Sequence, residues 1–407
     1  MVNTSALDIL TPPRFDSTIV SKEYRTYLPF ASTSYDNDDA IRILISNQDA
    51  ITYPGDSYLV IEGEFKRKQG DTADFPDTHK IVSNGLMHLF SDIRYEINGV
   101  EVDHIKNPGI ATTMKAYPSI FEAQRNVYSM SGLETNEIFN RKTGYFCSIL
   151  PLKNIMGFFE DFKGILLHVR QELILIRANV DTNVYITADA DKAKYSLQLN
   201  RVSWRIRHIT TNVAETLRLT NILNQDPWIP IQFMTWELHE YPYLNLTDYH
   251  TWSVKTAPRF ESPRFIILGF QTARKNDATK DAAEYDHLNL QEAKAYLNTV
   301  PYPYDNLNLD YDKGNYLPLY AMFTEFQASY YDTDIQPIVS YEDYKKMCPL
   351  VVFDCSKQDE STKTGPVDIR LEWKTKAAVS ANTSAYCLIL HDRVVNYRPL
   401  TSKVQIL

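Results

Sequence analysis

The feature that most constrains this chain is a hairpin signal in segment 92–104, DIRYEINGVEVDH. Asn98 and Gly99 are the preferred pair for a two-residue type I′ turn, because both positions need a positive φ. The turn fixes the register, so that one face of the hairpin becomes mostly apolar. From the turn outward, the predicted pairs are Ile97–Val100, Glu96–Glu101, Tyr95–Val102, Arg94–Asp103 and Ile93–His104.

Alternation of apolar and polar residues recurs in both halves of the chain, and a period of two is typical of half-buried strands. In the first half, Val202, Trp204 and Ile206 alternate with Ser203, Arg205 and Arg207. In the second half, segment 367–374 alternates in the same way and places Trp373 inward. Segment 172–177, ELILIR, predicts a strand buried on both faces. Further strands are predicted at 41–45, 58–65, 231–238, 251–254, 265–270 and 385–390.

A helix signal interrupts the strand pattern near the middle of the chain. Asn212 is a suitable N-cap, and Glu215 three residues later completes a capping box. Val213, Leu217 and Ile222 lie roughly along one side of this helix, and the sequence Asn-Gln-Asp-Pro at 224–227 ends it. A second helix is predicted from the apolar spacing within 319–331.

A length of 407 residues exceeds what one hydrophobic core usually serves, so we expect two domains. Many short strands with long connections favour an all-β chain of two tandem eight-stranded jelly-roll β-sandwiches with a short connecting helix and long loops. No sequence repeat between the halves is visible. The predicted division is an N-terminal arm at 1–16, a first jelly roll at 17–211, a helical linker at 212–225 and a second jelly roll at 226–407.

Charge and cysteine content exclude several classes of function. The net charge of -9 gives no general attraction to phosphates, so no direct sequence-specific binding of nucleic acid is expected. The four cysteines form no C-x-x-C pair and are expected to be small buried apolar groups. Neither a signal peptide nor an apolar run of about 18 residues is present, so no membrane span is predicted.

The search for catalytic constellations predicts no catalytic, cofactor or metal site. His239 beside Glu240 and His391 beside Asp392 point to opposite faces of a strand, so neither pair converges. Glu160 and Asp161 are neighbours, and neighbouring positions rarely supply the acid and nucleophile of a glycosidase. Residues Asp36, Asp38 and Asp39 suit either a Ca²⁺ site or a solvated turn, and the missing glycine and distal glutamate favour the turn.

Two sets of residues leave their interpretation open. Arg201, Arg205 and Arg207 share one strand face, which suits an anion site, salt bridges to another subunit or a solvated surface. The runs Tyr-Pro-Tyr at 241–243 and 302–304 suit either a sugar-binding platform or interface anchors.

Several blocks resemble one family. They are LFSDIRYEINGVEVDH (89–104), LPLKNIMGFFEDFKGILLHVRQELILIR (150–177), TAPRFESPRFIILGFQTAR (256–274) and PLVVFDCSKQDE (349–360), the last leading into VDIRLEWK (367–374) and AYCLILHDRVVNY (385–397). Together they resemble double jelly-roll major capsid proteins of the adenovirus-like lineage, as encoded by Maverick/Polinton elements and adintovirus-like DNA viruses.

The resemblance implies a homotrimer in which six jelly rolls form a pseudo-hexagonal tile of an icosahedral capsid. It implies neighbouring capsomers, penton-type proteins and minor capsid proteins as partners, a place in the virion after synthesis in the host cytosol, and no catalytic residue or cofactor. Loop 299–318 is the predicted contact or tower segment. The competing functions are a lectin-like attachment protein that binds glycans and a carbohydrate-active enzyme.

Overall fold

A computed structural model describes residues 18–30, 35–46, 51–67, 74–132, 138–188, 195–257, 262–358 and 366–407, without the side chains of 256 and 257. The predicted arm at 1–16 lies outside these residues. Within them, the alternating segments form strands and the chain is mostly β, as predicted.

The first half forms a sandwich of two antiparallel sheets. Its eight principal strands are β1 (Ile19–Tyr27), β2 (Ala40–Ile45), β3 (Ile51–Arg67), β5 (Phe90–Ile97), β6 (Val100–Lys106), β7 (Tyr145–Pro151), β9 (Gln171–Arg177) and β11 (Tyr195–Thr211). Hydrogen bonds order them as β1-β11-β3-β7 in one sheet and β2-β9-β5-β6 in the other. The short strand β8 (Leu166–Leu167) pairs with β3, while β4 (Lys80–Ile81) and β10 (Tyr185–Ile186) pair with each other.

The second half repeats this arrangement. Its strands are β12 (Ile229–Tyr241), β13 (Tyr249–Ala257), β14 (Pro263–Thr272), β15 (Leu290–Leu297), β16 (Val300–Tyr302), β17 (Val351–Asp354), β18 (Val367–Thr375), β19 (Thr383–Tyr397) and the short β20 (Val404–Ile406) beside β19. The sheets are ordered β12-β19-β14-β17 and β13-β18-β15-β16.

The two sandwiches therefore have the same strand connectivity. If the eight principal strands of each half are counted in chain order, one sheet is ordered 1-8-3-6 and the other 2-7-4-5. This is the jelly-roll connectivity, in which the first and last strands are neighbours in one sheet. The prediction of two tandem jelly rolls is confirmed, although no repeat is visible in the sequence.

Each core is filled by aromatic side chains that meet between its two sheets. In the first sandwich, the rings of Tyr95 and Trp204 lie 6.3 Å apart, edge to face. In the second, Trp373 is 1% exposed and contacts Phe270 at 5.4 Å between ring centroids, with His250 stacked on it at 5.1 Å. Trp373 thus points inward, as its period-two pattern predicts.

The predicted hairpin forms, but its register is only partly as expected. Asn98 and Gly99 have φ of 52° and 80°, and the pairs next to the turn, Ile97–Val100 and Glu96–Glu101, are confirmed. A bulge then shifts the pairing by one residue, so that the outer pairs are Tyr95–Asp103, Arg94–His104 and Ile93–Ile105. The outer predicted pairs are wrong because a bulge accommodates an additional residue on one strand, and it turns Asp103 into the protein interior.

The helices are α1 (Pro108–Ser119), α2 (Arg125–Ser129), α3 (Gly157–Asp161), α4 (Val213–Asn224), α5 (Leu317–Tyr331) and α6 (Tyr341–Met347). Helices α1 and α2 lie in the connection between the fifth and sixth strands of the first sandwich, and α5 and α6 lie in the equivalent connection of the second. The helix predicted in 319–331 is confirmed as α5. None of these described helices is long and apolar enough to cross a membrane.

Helix α4 follows the last strand of the first sandwich and precedes the first strand of the second. The Asn212 side chain accepts a hydrogen bond from the Glu215 amide at 2.8 Å, which confirms the predicted N-cap. In the other half of the predicted capping box, the Asn212 amide donates to the Thr18 carbonyl and the Glu215 carboxylate pairs with Arg218. The predicted apolar stripe is wrong, because Val213 and Leu217 are exposed and Leu219 and Leu223 are buried instead. The division into 17–211, 212–225 and 226–407 stays a prediction.

The sequence expectation for the cysteines is partly met. Cys348, Cys355 and Cys387 are buried free thiols, as expected, but Cys147 is exposed because its side chain points outward from edge strand β7. In loop 299–318, the rings of Tyr311 and Tyr316 stack on each other at 5.2 Å, and the stack continues to His287 at 4.3 Å and Tyr341 at 4.4 Å outside the loop. The role of this loop as a contact or tower segment stays a prediction.

Candidate functional site

The two sandwiches meet at a junction that contains buried charged groups, and Asp103 lies at one end of it. Its carboxylate is 1% exposed and accepts hydrogen bonds from the Thr235 hydroxyl at 2.6 Å and the Phe158 amide at 2.9 Å. Thr235 is on β12, so this carboxylate connects the fifth strand of the first sandwich to the first strand of the second. Burial raises the pKa of Asp103, and the hydrogen bonds act against that shift.

The centre of the junction is an ion pair between Lys115 of α1 and Glu160 of α3. The ammonium is 3% exposed and lies 2.7 Å from the carboxylate. The hydroxyls of Tyr330 and Tyr331, on α5, donate to the same carboxylate at 2.8 and 2.5 Å. The cluster joins helices from both halves of the chain, and its charges are satisfied within the protein. Burial lowers the pKa of Lys115, while Glu160 acts in the opposite direction.

Asp161 gives a third connection between the sandwiches. Its carboxylate accepts a hydrogen bond from the backbone amide of Met234, on β12, at 2.7 Å. Burial, reinforced by the neighbouring charge of Glu160, raises the pKa of Asp161 from 3.8 to about 6. The adjacent carboxylates considered as a glycosidase pair therefore hold the two jelly rolls together.

The shifted pKa of Asp161 predicts a pH dependence of stability. Between pH 3.8 and about 6, the folded protein binds the proton more tightly than the unfolded chain, so the free energy of unfolding falls as pH rises through this window. In the variant Asp161→Asn, the introduced amide oxygen can still accept a hydrogen bond from the Met234 backbone and carries no charge. We expect this variant to be more stable than the parent at pH 7 by at most about 3 kcal/mol.

Urea unfolding of both proteins from pH 4 to pH 7 measures this difference. The variant should gain stability relative to the parent as pH rises and should match it most closely near pH 4. A difference that is independent of pH would contradict the assignment.

A second polar cluster surrounds Glu237 at the edge of the junction. Its carboxylate lies 2.5 Å from the Lys255 ammonium, 3.1 Å from His239 Nε2 and 3.5 Å from His391 Nε2. Although burial acts to raise it, hydrogen bonds from His239, His391 and Lys255 hold the pKa of Glu237 far below its usual range. These residues line a cavity of about 290 Å³ that His104 and Lys106 of the first sandwich also border.

The structure separates the adjacent His–acid pairs considered from sequence. Glu240 pairs with Lys275 at 2.8 Å, and Asp392 pairs with Arg264 at 2.7 Å. Sequence reasoning missed that His239 and His391 both approach Glu237. The two histidines come together because β12 pairs with β19, which sets Thr235 opposite His391. The sequence of each strand does not reveal which strand it pairs with, so this contact could not be predicted.

The acidic cluster near residue 38 is a turn. The Asp39 amide donates to the Asp36 carbonyl at 3.2 Å, and Asp38 has a φ of 65°. Across the described part of the chain, no group of three or more His, Cys, Asp and Glu is arranged to hold a metal ion.

The three arginines of β11 share the outer face of the sheet β1-β11-β3-β7, as predicted. Arg201 lies 3.9 Å from Glu62, and Arg207 lies 2.8 Å from Asp56. In the Tyr-Pro-Tyr runs, Tyr243 and Tyr304 are 72% and 83% exposed, whereas Tyr241 packs on Trp252.

Two jelly rolls in tandem, joined by a buried polar junction, define a double jelly-roll protein. The family model for the double jelly roll-like domain matches residues 79–395. The chain therefore belongs to the double jelly roll-like domain family. No curated protein matches it in sequence.

Solved structures with the same fold come from several viruses. The Sputnik virophage structure matches with a TM-score of 0.66 and 9% identity over 100% of this chain and 92% of that chain. The mavirus major capsid protein matches at 0.59 and 11% identity, over 99% and 93% of the two chains. The PBCV-1 virus capsid matches at 0.59 and 13% identity, over 98% of each. These likenesses show a shared fold along nearly the whole chain.

Proposed function

We propose that this chain is a major capsid protein, the repeating structural subunit of an icosahedral virus shell, and that it has a structural rather than a catalytic role. The observation that carries the proposal is the repeated jelly-roll connectivity along one chain. A capsid tile has to present the same rigid edges many times, and closed sandwiches supply that rigidity. Membership of the double jelly roll-like family and the likeness to viral capsid structures support it.

The proposed working unit is a homotrimer. Three chains with two jelly rolls each give six similar sandwiches, which suit a pseudo-hexagonal capsomer. The buried carboxylates of the junction favour a fixed angle between the two rolls, since moving the rolls apart would take from Glu160, Asp103 and Asp161 the hydrogen-bond donors that the second roll supplies. Neighbouring capsomers, penton-type proteins and minor capsid proteins are the proposed partners, and the virion is the proposed location.

The trimer is a testable expectation. Light scattering on the purified full chain should give a mass near three times 47.0 kDa. Electron microscopy of the same sample should show hexagonal tiles or closed shells. A stable monomer over the whole concentration range would contradict the capsid proposal.

The proposed lineage is that of the adenovirus-like elements, Maverick/Polinton or adintovirus-like. It rests on the four sequence blocks described above, three of which form the hairpin β5–β6, the junction helix α3 with β9, and strand β14. A gene for this chain beside those of a packaging enzyme and a penton-type protein would support the lineage, and a host gene without such neighbours would contradict it.

A further inference from the structure

The outer face of the sheet β12-β19-β14-β17 in the second sandwich is covered within the chain. Trp236, Leu390 and Phe265 lie side by side in its strand register, and all three are almost fully buried. Phe265 packs on Phe326 of α5 at 4.9 Å between ring centroids, and the Lys115 ammonium lies 5.1 Å from the Trp236 ring. Helices from both halves of the chain cover this face.

Among the residues that the structure describes, the equivalent face of the first sandwich, on the sheet β1-β11-β3-β7, is open. Tyr24, Tyr145 and Ile149 point outward from its two edge strands and are 43%, 40% and 37% exposed. An exposed face with aromatic and aliphatic side chains is typical of an interaction surface. The two sandwiches share one connectivity, so the contrast indicates that another molecule covers the open face.

Arg205 lies in the middle of this open face. It is paired in register with Thr26 on one side and Tyr58 on the other, and its side chain is half-buried. Unlike Arg201 and Arg207, it makes no ion pair with any residue that the structure describes, and its Nε is buried without a hydrogen-bond partner there. A half-buried guanidinium in this state is well suited to receive a carboxylate from outside.

The contact between the two sandwiches of one chain provides a template for the contact between the sandwiches of neighbouring copies. Within the chain, the fifth strand of the first sandwich, β6, lies against the first strand of the second, β12, through Asp103 and Thr235. In a closed ring of three chains, the other side of every first sandwich meets the second sandwich of a neighbouring copy. Reusing the same geometry brings β16, the fifth strand of that sandwich, to the open face beside β1.

The residues around β16 match the open face in chemistry. Val300 is 41% exposed on this short edge strand, and Tyr304, just beyond it, is 83% exposed. The adjacent Asp305 is also exposed and makes no ion pair with a described residue. The turn therefore offers an aromatic ring and an unpaired carboxylate, and the open face offers tyrosines and an unpaired guanidinium.

We propose that the turn at 303–306 of one copy docks on the open face of the first sandwich of another copy, with Asp305 paired to Arg205 and Tyr304 packed among the tyrosines. The proposal rests on the trimer proposed above and names the surface that closes it. The contact is heterologous, because the two copies contribute different surfaces, and three such contacts close a ring.

A charge exchange on the full chain tests the pairing. Arg205→Glu and Asp305→Arg are each expected to weaken the trimer, raising its dissociation constant at least about tenfold in sedimentation equilibrium. The double variant carries the same pair with the charges exchanged, and its dissociation constant should return to within about threefold of the parent. Lys374→Glu is the matched control. Lys374 is exposed on β18, on the outer face of the sheet β13-β18-β15-β16, and its substitution should leave the trimer unchanged.

The variant Tyr304→Ser tests whether a weaker trimer results from a lost contact or from loss of folding. A side chain that is 83% exposed contributes little to the stability of the fold, so this variant should fold normally. It should weaken the trimer while the circular dichroism spectrum stays that of the parent. Trimers of normal affinity in both single charge variants, or no recovery in the double variant, would overturn this pairing and leave the trimer itself intact. A monomeric parent protein would instead overturn the proposed function.

Discussion

Trp373→Ala is expected to destabilise the protein by about 3–5 kcal/mol, enough to prevent recovery of soluble folded chain at 37 °C. The indole is 1% exposed between the sheets of the second sandwich, where Phe270 and His250 contact it. Alanine leaves a cavity that these rings fill only in part, since the strands on both sides are held by their ladders. Soluble yield and the urea midpoint of any folded fraction measure the effect.

Trp228→Ala is the matched control, because it removes the same side chain from a site that is 39% exposed and packs beside the Arg398 guanidinium. Its expected cost is about 1 kcal/mol or less. Equal losses of stability in the two variants would show that Trp373 does not lie in the core between the two sheets, which would contradict the assignment of β18.

Lys115→Met is expected to cost about 3–5 kcal/mol, because it leaves the carboxylate of Glu160 buried without its cation. The loss should appear at the junction between the sandwiches, where Tyr330 and Tyr331 also bind Glu160. Protease digestion should then cut the chain into two large fragments faster than in the parent. The urea midpoint measures the stability, and the fragment sizes locate the weakened region.

Adding Glu160→Gln to Lys115→Met removes the unpaired charge and keeps an acceptor for the tyrosine hydroxyls. The double variant should therefore be more stable than Lys115→Met alone, a coupling that a double-mutant cycle measures. Lys313→Met, at an exposed ion pair with Asp310, should leave the midpoint unchanged. Additive losses in the cycle would contradict the assignment of Lys115 and Glu160 as a buried pair.

Local sequence patterns predicted most of the fold, because each depends on a few neighbouring residues. The alternation around Trp373, the Asn98–Gly99 turn and the cap at Asn212 are all confirmed. The bulge beyond Tyr95 was missed, because it depends on Asp103 reaching Thr235 132 positions away. The buried stripe of α4 was missed for the same reason, since Leu219 and Leu223 pack on Leu167 rather than on sequence neighbours.

The candidate site was less predictable than the fold. Glu160 and Asp161 are visible in the sequence as neighbouring carboxylates, but their partners, Lys115 and Met234, come from other elements. No periodicity connects those elements, so the sequence argued against a glycosidase pair at Glu160 and Asp161 but did not indicate the junction that the structure shows. The arginine face of β11 was predictable because three alternating residues of one strand define it.

The direct passage of the chain from β11 through α4 into β12 has a consequence for the kinetics of shell formation. Six separate sandwiches would need five encounters between molecules to complete the proposed ring, whereas tethered pairs need two, and each association costs about 4–15 kcal/mol in lost translational and rotational freedom. Half of the seams in such a ring would then form at a rate independent of protein concentration. Dilution would slow only the formation of the seams between different chains. Those seams are therefore the points at which a host cell or an inhibitor can interrupt growth of the shell.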